Sequence, residues 1–301
     1  MSDANATDWL PWGKGVRLVG SHPCGLLAVE KPIGALSHPN EDAPEDRERS
    51  LLIADYDHER ECYHGFPNES APREVYLLHR LDSATSGVIL LAINREVAEA
   101  IKLRFQSHDV EKTYLAVVKG QGRPGMHGLW VDLLEKGHRG GRRGPVYAAA
   151  GKASQARTAY KWERNDSYHF GMALMRLNPQ TGRTHQLRYQ CMKNGMPIVG
   201  DRNYGDFNFN RKVKAATGQR RLFLHASKIE IRFPFGGDVV RFTAEAPLPE
   251  EFAGLLGGNE EWVKHLTRKP TPGEMAEMRR SKIRDSIRGV HAKKMSRRRR
   301  H

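Results

Sequence analysis

His79-Arg-Leu-Asp-Ser-Ala-Thr-Ser-Gly87 is a polar run held between two apolar ones, Val75-Tyr-Leu-Leu-His79 and Val88-Ile-Leu-Leu-Ala92. Short apolar runs bounded by turn residues predict buried strands. Asp82 therefore falls in the turn that joins two such strands, with Arg80 two residues away and hydroxyls from Ser83, Thr85 and Ser86. Two readings stay open. In one, Asp, Ser and Thr bond their own backbone and Gly87 supplies an unusual φ. In the other, the turn presents a carboxylate at the mouth of a cleft.

Outward from this run, Gly25-Leu-Leu-Ala-Val-Glu30 reads as a further buried strand stopped by Lys31-Pro32, and residues 1–24 as a flexible polar segment. Between 38 and 73 Pro, Asp, Glu and Arg dominate, and the apolar patch Leu51-Leu-Ile53 is expected on a helix with loops on both sides. Glu96 to Gln106 is predicted helical, because Val97, Ile101 and Phe105 recur at i, i+4 and i+8. Strands are expected over 112–119, 158–163, 170–177, 222–231 and 239–245, and short helices over 183–194, closed by Gly195, and over 248–256. The Gly- and Arg-rich stretch near 136–157, with Arg139, Arg142 and Arg143, reads as an irregular loop, either an excursion or an RNA contact. Strands outnumber helices and come in runs. That predicts an α+β fold, a mostly antiparallel mixed sheet flanked by short helices around a central cleft. One catalytic domain is expected over 25–256, followed by a basic tail over 257–301.

Hydrophobic residues make up 39% of the 301, charged residues 28% and aromatics 8%, the proportions of a globular protein. No apolar run approaches the length of a membrane span, and the polar opening Met-Ser-Asp-Ala-Asn-Ala-Thr-Asp shows no basic-then-apolar leader. Cys24, Cys62 and Cys191 are scattered and form no C-x-x-C pair. A cytoplasmic setting is expected, without a disulfide framework or zinc knuckle. The net charge of +14 fits a polyanionic partner. From Trp262 to His301 fourteen Lys/Arg stand against three Asp/Glu, so eleven of the net charges lie in the tail. The tail is either a solvated end or a non-specific phosphate-binding arm whose contacts weaken with salt.

Gln180-Thr-Gly-Arg-Thr-His-Gln-Leu-Arg188 is a second polar turn, feeding a helix that opens with Arg183, Thr184, His185 and Gln186. A helix start attracts anions; a capped surface helix is the plain alternative. Tyr114 lies within an apolar strand, where packing is the usual role. The fourteen histidines contain no H-x-x-x-H or H-E-x-x-H spacing, Ser86 is not in a G-x-S-x-G elbow, and no P-loop is present. Neither a metal nor a cofactor is expected.

Together the segments resemble the RNA pseudouridine synthases of the RluA type. His79–Gly87 resembles H-R-L-D-x-x-T-S-G; Val29-Glu-Lys-Pro-Ile-Gly34 with Ser37-His-Pro39 resembles the family's opening strand and loop. Lys112-Thr-Tyr-Leu-Ala-Val-Val-Lys-Gly120 resembles K-x-Y-x-A-x-V-x-G, and Thr181–Arg188 resembles T-G-R-T-H-Q-[IL]-R. Gly195–Asp201 with Tyr204-Gly205, and Leu224-His-Ala226, continue the match in order over roughly 24–252. Ser83-Ala84 departs from the charged pair often found between the Asp and the Thr. About two dozen residues precede the first strand, too few for the S4 RNA-binding domain of many relatives, so the chain is expected to lack one and the basic tail to add non-specific RNA contacts.

The resemblance implies conversion of uridine in ribosomal or transfer RNA to pseudouridine by a monomer. Asp82 is implied as the essential nucleophile or base, Arg183 as its charge partner, and Tyr114 as the residue that stacks on the target base and takes part in proton transfer. Arg80 is implied to fill the gap left by the flipped uridine, and His185, Gln186 and Arg188 to contact the RNA backbone. An idle RNA-binding or ribosome-assembly factor on the same fold is the alternative. A glycoside hydrolase is disfavoured because no second carboxylate lies beside Asp82 or within 180–190.

Overall fold

β1 (Arg17–His22) folds back on β2 (Leu26–Lys31), and β2 is buried on both faces. Leu26 and Ala28 join one apolar cluster and Leu27 and Val29 another, which is why this strand reads as a continuous apolar run rather than an alternating one. The computed structural model describes residues 10–66, 74–139, 142–147, 154–166 and 171–257. The first part of the chain is thus less loose than its composition suggests. Residues 17–22 pair with β2, Leu10 and Val16 are buried, and Trp12 bridges to Leu52. The expected helix at Leu51-Leu-Ile53 is absent: a short 3-10 turn covers Pro44–Arg49, and Leu51 and Leu52 are buried ahead of two small strands, β3 (Asp55–Asp57) and β4 (Cys62–His64).

β5 (Glu74–Leu77) and β6 (Ser86–Ala92) flank the Asp82 turn as expected. α1 (Arg95–Gln106) is capped by Asn94, whose side chain accepts from the amides of Glu96 and Val97. It buries Val97 and Ile101 in a cluster with Leu90, Ile229 and Ile231. β7 (Val110–Lys119), β8 (His127–Arg139), β9 (Arg142–Tyr147), β10 (Ser154–Asn165) and β11 (Met172–Pro179) form the second half of the sheet. Most of the Gly/Arg stretch expected as a loop is therefore strand. β8 pairs with β9 from Leu134↔Tyr147 to Arg139↔Arg142 and with β10 from Ser154↔Leu134 to Lys161↔His127. Gly120-Gln-Gly-Arg-Pro-Gly125 has the letters of a dinucleotide fingerprint after a strand, but it leads into β8 and not into the helix that such a site needs.

α2 (Gln186–Lys193), α3 (Phe207–Thr217), β12 (Leu224–Phe235), β13 (Asp238–Glu245) and α4 (Glu250–Gly257) complete the described chain; α3 was not anticipated. Neighbouring strands run β3-β4-β5-β6-β12-β7-β11-β10-β8-β9, with β2 on β6, β1 on β2 and β13 on β12. Among the described strands every pairing is antiparallel but one: β12 meets β6 in parallel at His225↔Ser86 and Ala226↔Gly87. This short contact joins the two halves. Gly87 makes it possible, since a Cβ there would lie 2.2 Å from the Ala226 carbonyl oxygen. The Asp82 turn thus sits at the seam. The basic tail lies outside the described residues.

Candidate active site

The turn carrying Asp82 is fastened by its own backbone and by the loop after β2. Thr85 N–H donates to the Asp82 carbonyl at 2.9 Å. The Ser37 hydroxyl donates to Leu81 O at 2.9 Å and accepts from Leu81 N–H at 3.1 Å. Ser83 O accepts from Gly34 N–H and from the Lys31 ammonium. Lys31 is 0% exposed and, among the described residues, has only main-chain acceptors: Ala35 O at 2.7 Å, Pro32 O at 3.1 Å and Ser83 O at 3.2 Å. Burial pulls its pKa down to about 7, against the opposing pull of Asp82. On the other side His79, tilted against Phe105, accepts from Leu90 N–H, and burial drives its pKa down to about 3. His79 is a neutral structural acceptor.

The Asp82 side chain remains 32% exposed, and Oδ2 accepts from Arg188 Nη1 at 3.0 Å. Arg188 is nearly buried and turns its other face to Asp201, donating Nε to Oδ2 at 2.7 Å and Nη2 to Oδ1 at 3.0 Å. Asp201 Oδ1 also accepts from the amides of Asn203 and Tyr204. Burial disfavours the Arg188 charge, but the bonds to Asp201 and then Asp82 outweigh it and raise the pKa. A guanidinium shared by two carboxylates is a strong, directional arrangement.

This corrects the expected pairing. Arg183 is exposed, with no ion pair among the described residues. The helix begins three residues later than anticipated, at Gln186, after His185 takes a left-handed conformation (φ 54°). That leaves Arg183 in the turn and puts Arg188 on the helix toward Asp82. Arg188 and Gln186, expected as contacts to the RNA backbone, are both buried and engaged within the protein. Gln186 accepts from Thr181 Oγ1 and Arg183 N–H and donates to Arg157 O and Thr158 Oγ1, which locks the turn onto β10. His185 does reach the site: Nε2 lies 3.6 Å from Asp82 Oδ2 and Nδ1 is 3.2 Å from the Tyr204 hydroxyl. Burial lowers its pKa, with Asp82 opposing.

Tyr114, on β7 opposite Ala226 of β12 and Leu177 of β11, is half-buried. Burial raises its pKa and the charge of nearby Asp82 raises it further, so the phenol stays protonated. Arg80 is exposed and donates Nη1 to His38 Nε2 at 3.2 Å; His38 stacks on Tyr56. Asp82, the pinned guanidinium of Arg188 and the neutral phenol of Tyr114 thus come together at a seam between sheet halves, while exposed Arg80 turns to His38. The described residues contain no group of three or more His, Cys, Asp or Glu able to hold a metal ion.

The profile of the family described as RNA pseudouridylate synthase matches residues 25–193, from β2 through α2, which takes in Lys31, Asp82, Tyr114 and Arg188. The chain belongs to that family. Among curated pseudouridylate synthases, it is 38% identical over 179 residues to the ribosomal large subunit pseudouridine synthase C of Escherichia coli K12, covering 59% of this chain and 54% of that one. It is 31% identical over 261 residues to the tRNA pseudouridine synthase C of Yersinia pestis, covering 82% and 93%. The chain spans about half the length of the first of these relatives. The solved structure of human RNA Pseudouridylate Synthase Domain Containing 1 superposes with a TM-score of 0.58 at 22% identity, over 85% of this chain and 96% of that one, and so shares the synthase fold.

Arg188, Asp201 and Lys31 are the site residues that reading the sequence missed or misassigned. Lys31 had a signal: a lysine at the end of a strand that reads as buried must have its ammonium satisfied somewhere.

Proposed function

We propose that this chain isomerises uridine to pseudouridine in RNA, with Asp82 as the reacting carboxylate. The supporting observation is a half-open Asp82 held on one oxygen by Arg188, which Asp201 fixes in turn. The reaction breaks the N1–C1′ bond, turns the base, forms C5–C1′ and moves a proton from C5 to solvent while N1 gains one. Nothing is oxidised or reduced. An ionised carboxylate suits each chemical route: trapping an electron-poor C1′ as glycosidase carboxylates do, adding to the base, or removing the 2′ proton. Arg188 holds one oxygen of the Asp82 carboxylate and so orients the other. Tyr114 stacks on the uracil, and Arg80 fills the space of the flipped nucleotide, offsetting part of the few kcal/mol that flipping costs. Exposed Arg183 serves as a phosphate contact.

Asp201 is a second carboxylate close to Asp82, which weakens the earlier reason for setting a hydrolase aside and supplies a better one. It is fully buried with both oxygens taken by Arg188, so it cannot activate a water. The relatives are named for ribosomal and transfer RNA, and these are the substrate classes proposed here, for a monomer in the cytoplasm whose basic tail adds non-specific contacts. No described helix is long and apolar enough to cross a membrane. The test is tritium release from [5-³H]uridine-labelled ribosomal and transfer RNA fractions. Release by the wild type and not by Asp82→Ala is expected; no release from either fraction would favour an idle RNA-binding factor.

A further inference from the structure

A pocket of about 260 Å³ lies behind the Arg188–Asp201 pair, between α3, the loop at Val199–Arg202 and the segment entering β12. Val199, Val213 and Phe223 form an apolar floor, and Phe207, 57% exposed, stands at its edge. Arg202, Arg211, Lys214 and Arg220 also line it, and all four are exposed. None has an ion pair among the described residues; Arg211 donates only to Asn208. Asp201 is the single acidic lining residue, and its oxygens are already committed to Arg188 and to two amides. The rim is thus uncompensated positive charge over an apolar, partly aromatic interior. That combination suits a flat apolar group carrying an anion. The volume falls just under the roughly 300 Å³ at which pockets for drug-sized ligands begin.

We infer that this pocket takes one nucleotide of the substrate RNA other than the target uridine, its base against Phe207 and its phosphate among Arg202, Arg211, Lys214 and Arg220. The inference rests on the proposed RNA substrate and adds a second point of attachment next to the catalytic one. Through Asp201, which lines the pocket and holds Arg188, this subsite is two ion pairs from Asp82. A protein that engages RNA at two separate nucleotides selects its uridine by spacing as well as by chemistry.

The test measures binding of a short fluorescein-labelled single-stranded oligoribonucleotide to the full chain by anisotropy, with AMP as a separate ligand. Phe207→Ala removes the aromatic edge without changing charge. It should weaken oligonucleotide binding about 5- to 150-fold, the range for loss of one base–aromatic stack. Lys214→Ala should weaken it and flatten the salt dependence by about one unit of log–log slope. Lys212→Ala, on the same helix but outside the lining, should do neither. Equal losses in Lys212→Ala and Lys214→Ala with no effect of Phe207→Ala would overturn the subsite and leave a general basic surface. If Phe207→Ala abolished AMP binding and left the oligonucleotide unaffected, a free nucleotide would be the occupant and the RNA assignment would fall. Tritium release on the same preparations separates this from the synthase reading. Phe207-dependent RNA binding without release keeps the subsite and loses the synthase, and release with Phe207-independent binding does the reverse.

Discussion

Asp201 grips Arg188 with both carboxylate oxygens, at 2.7 Å from Nε and 3.0 Å from Nη2, and so leaves only Nη1 to face Asp82. The guanidinium is therefore aimed before any substrate arrives. Arg188→Lys keeps the charge but cannot serve two carboxylates in one plane. Misplacement by about 1 Å can lower a rate on the order of 100-fold, and a fall of that size in kcat is expected for Arg188→Lys. Asp201→Ala removes the fully buried partner of a nearly buried guanidinium, leaving it only Asp82, and should lower stability by roughly 3–5 kcal/mol in urea unfolding. Arg183→Ala should instead raise KM. Wild-type turnover by Arg188→Lys with loss of turnover in Arg183→Ala would restore the pairing expected from the sequence.

Tyr114 is neutral over the working range, because burial first and the Asp82 charge second raise its pKa. The pH–rate profile should show no limb from this phenol below about pH 10. Tyr114→Phe should keep RNA affinity and lose turnover, whereas Tyr114→Ala should also lose about 1–3 kcal/mol of binding. A neutral-pH limb that disappears in Tyr114→Phe would show instead that the phenol ionises before the chemistry.

How far the site was legible depends on what each residue's neighbours do. The turn at Asp82 was readable because two apolar strands bracket it locally, while the role given to Asp82 came only from the resemblance. Its partner was not, because Arg183 and Arg188 sit in one motif, and only the left-handed turn at His185 decides which of them faces inward. α3 left a local signal that was overlooked: Asp206 caps it, accepting from the amides of Asn208 and Phe209, and Gly218 closes it with a positive φ. β8 and β9 were obscured by Gly and Arg, which weaken strand propensity, while their pairing to β10 is a long-range fact that no local pattern carries.

Lys31 makes stability depend on pH. Its pKa falls from 10.5 unfolded to about 7 folded, chiefly through burial. Between those values the unfolded chain binds a proton that the folded chain does not, so stability rises with pH across this window. The full span corresponds to on the order of 5 kcal/mol. The difference in urea stability between wild type and Lys31→Met should therefore shift in favour of the wild type between pH 7 and pH 10. Parallel pH curves would contradict a depressed Lys31.

Gly87 holds the two sheet halves together. Its φ of 122° and the 2.2 Å approach of a Cβ to Ala226 O leave no room for a side chain. Gly87→Ala should cost more than about 4 kcal/mol, the range of severe core disruption, and reduce soluble yield. A wild-type Tm for that variant would mean that the β6–β12 contact can separate without loss.

The most direct test of the central claim is the single-turnover rate of tritium release for Asp82→Asn, with RNA binding measured alongside. Asn retains an oxygen to accept from Arg188 Nη1 but has neither charge nor nucleophilicity. Release should vanish while RNA affinity stays near that of the wild type. Release at a rate close to the wild type would show that Asp82 is not the reacting group and that Arg188 and Asp201 serve the fold alone.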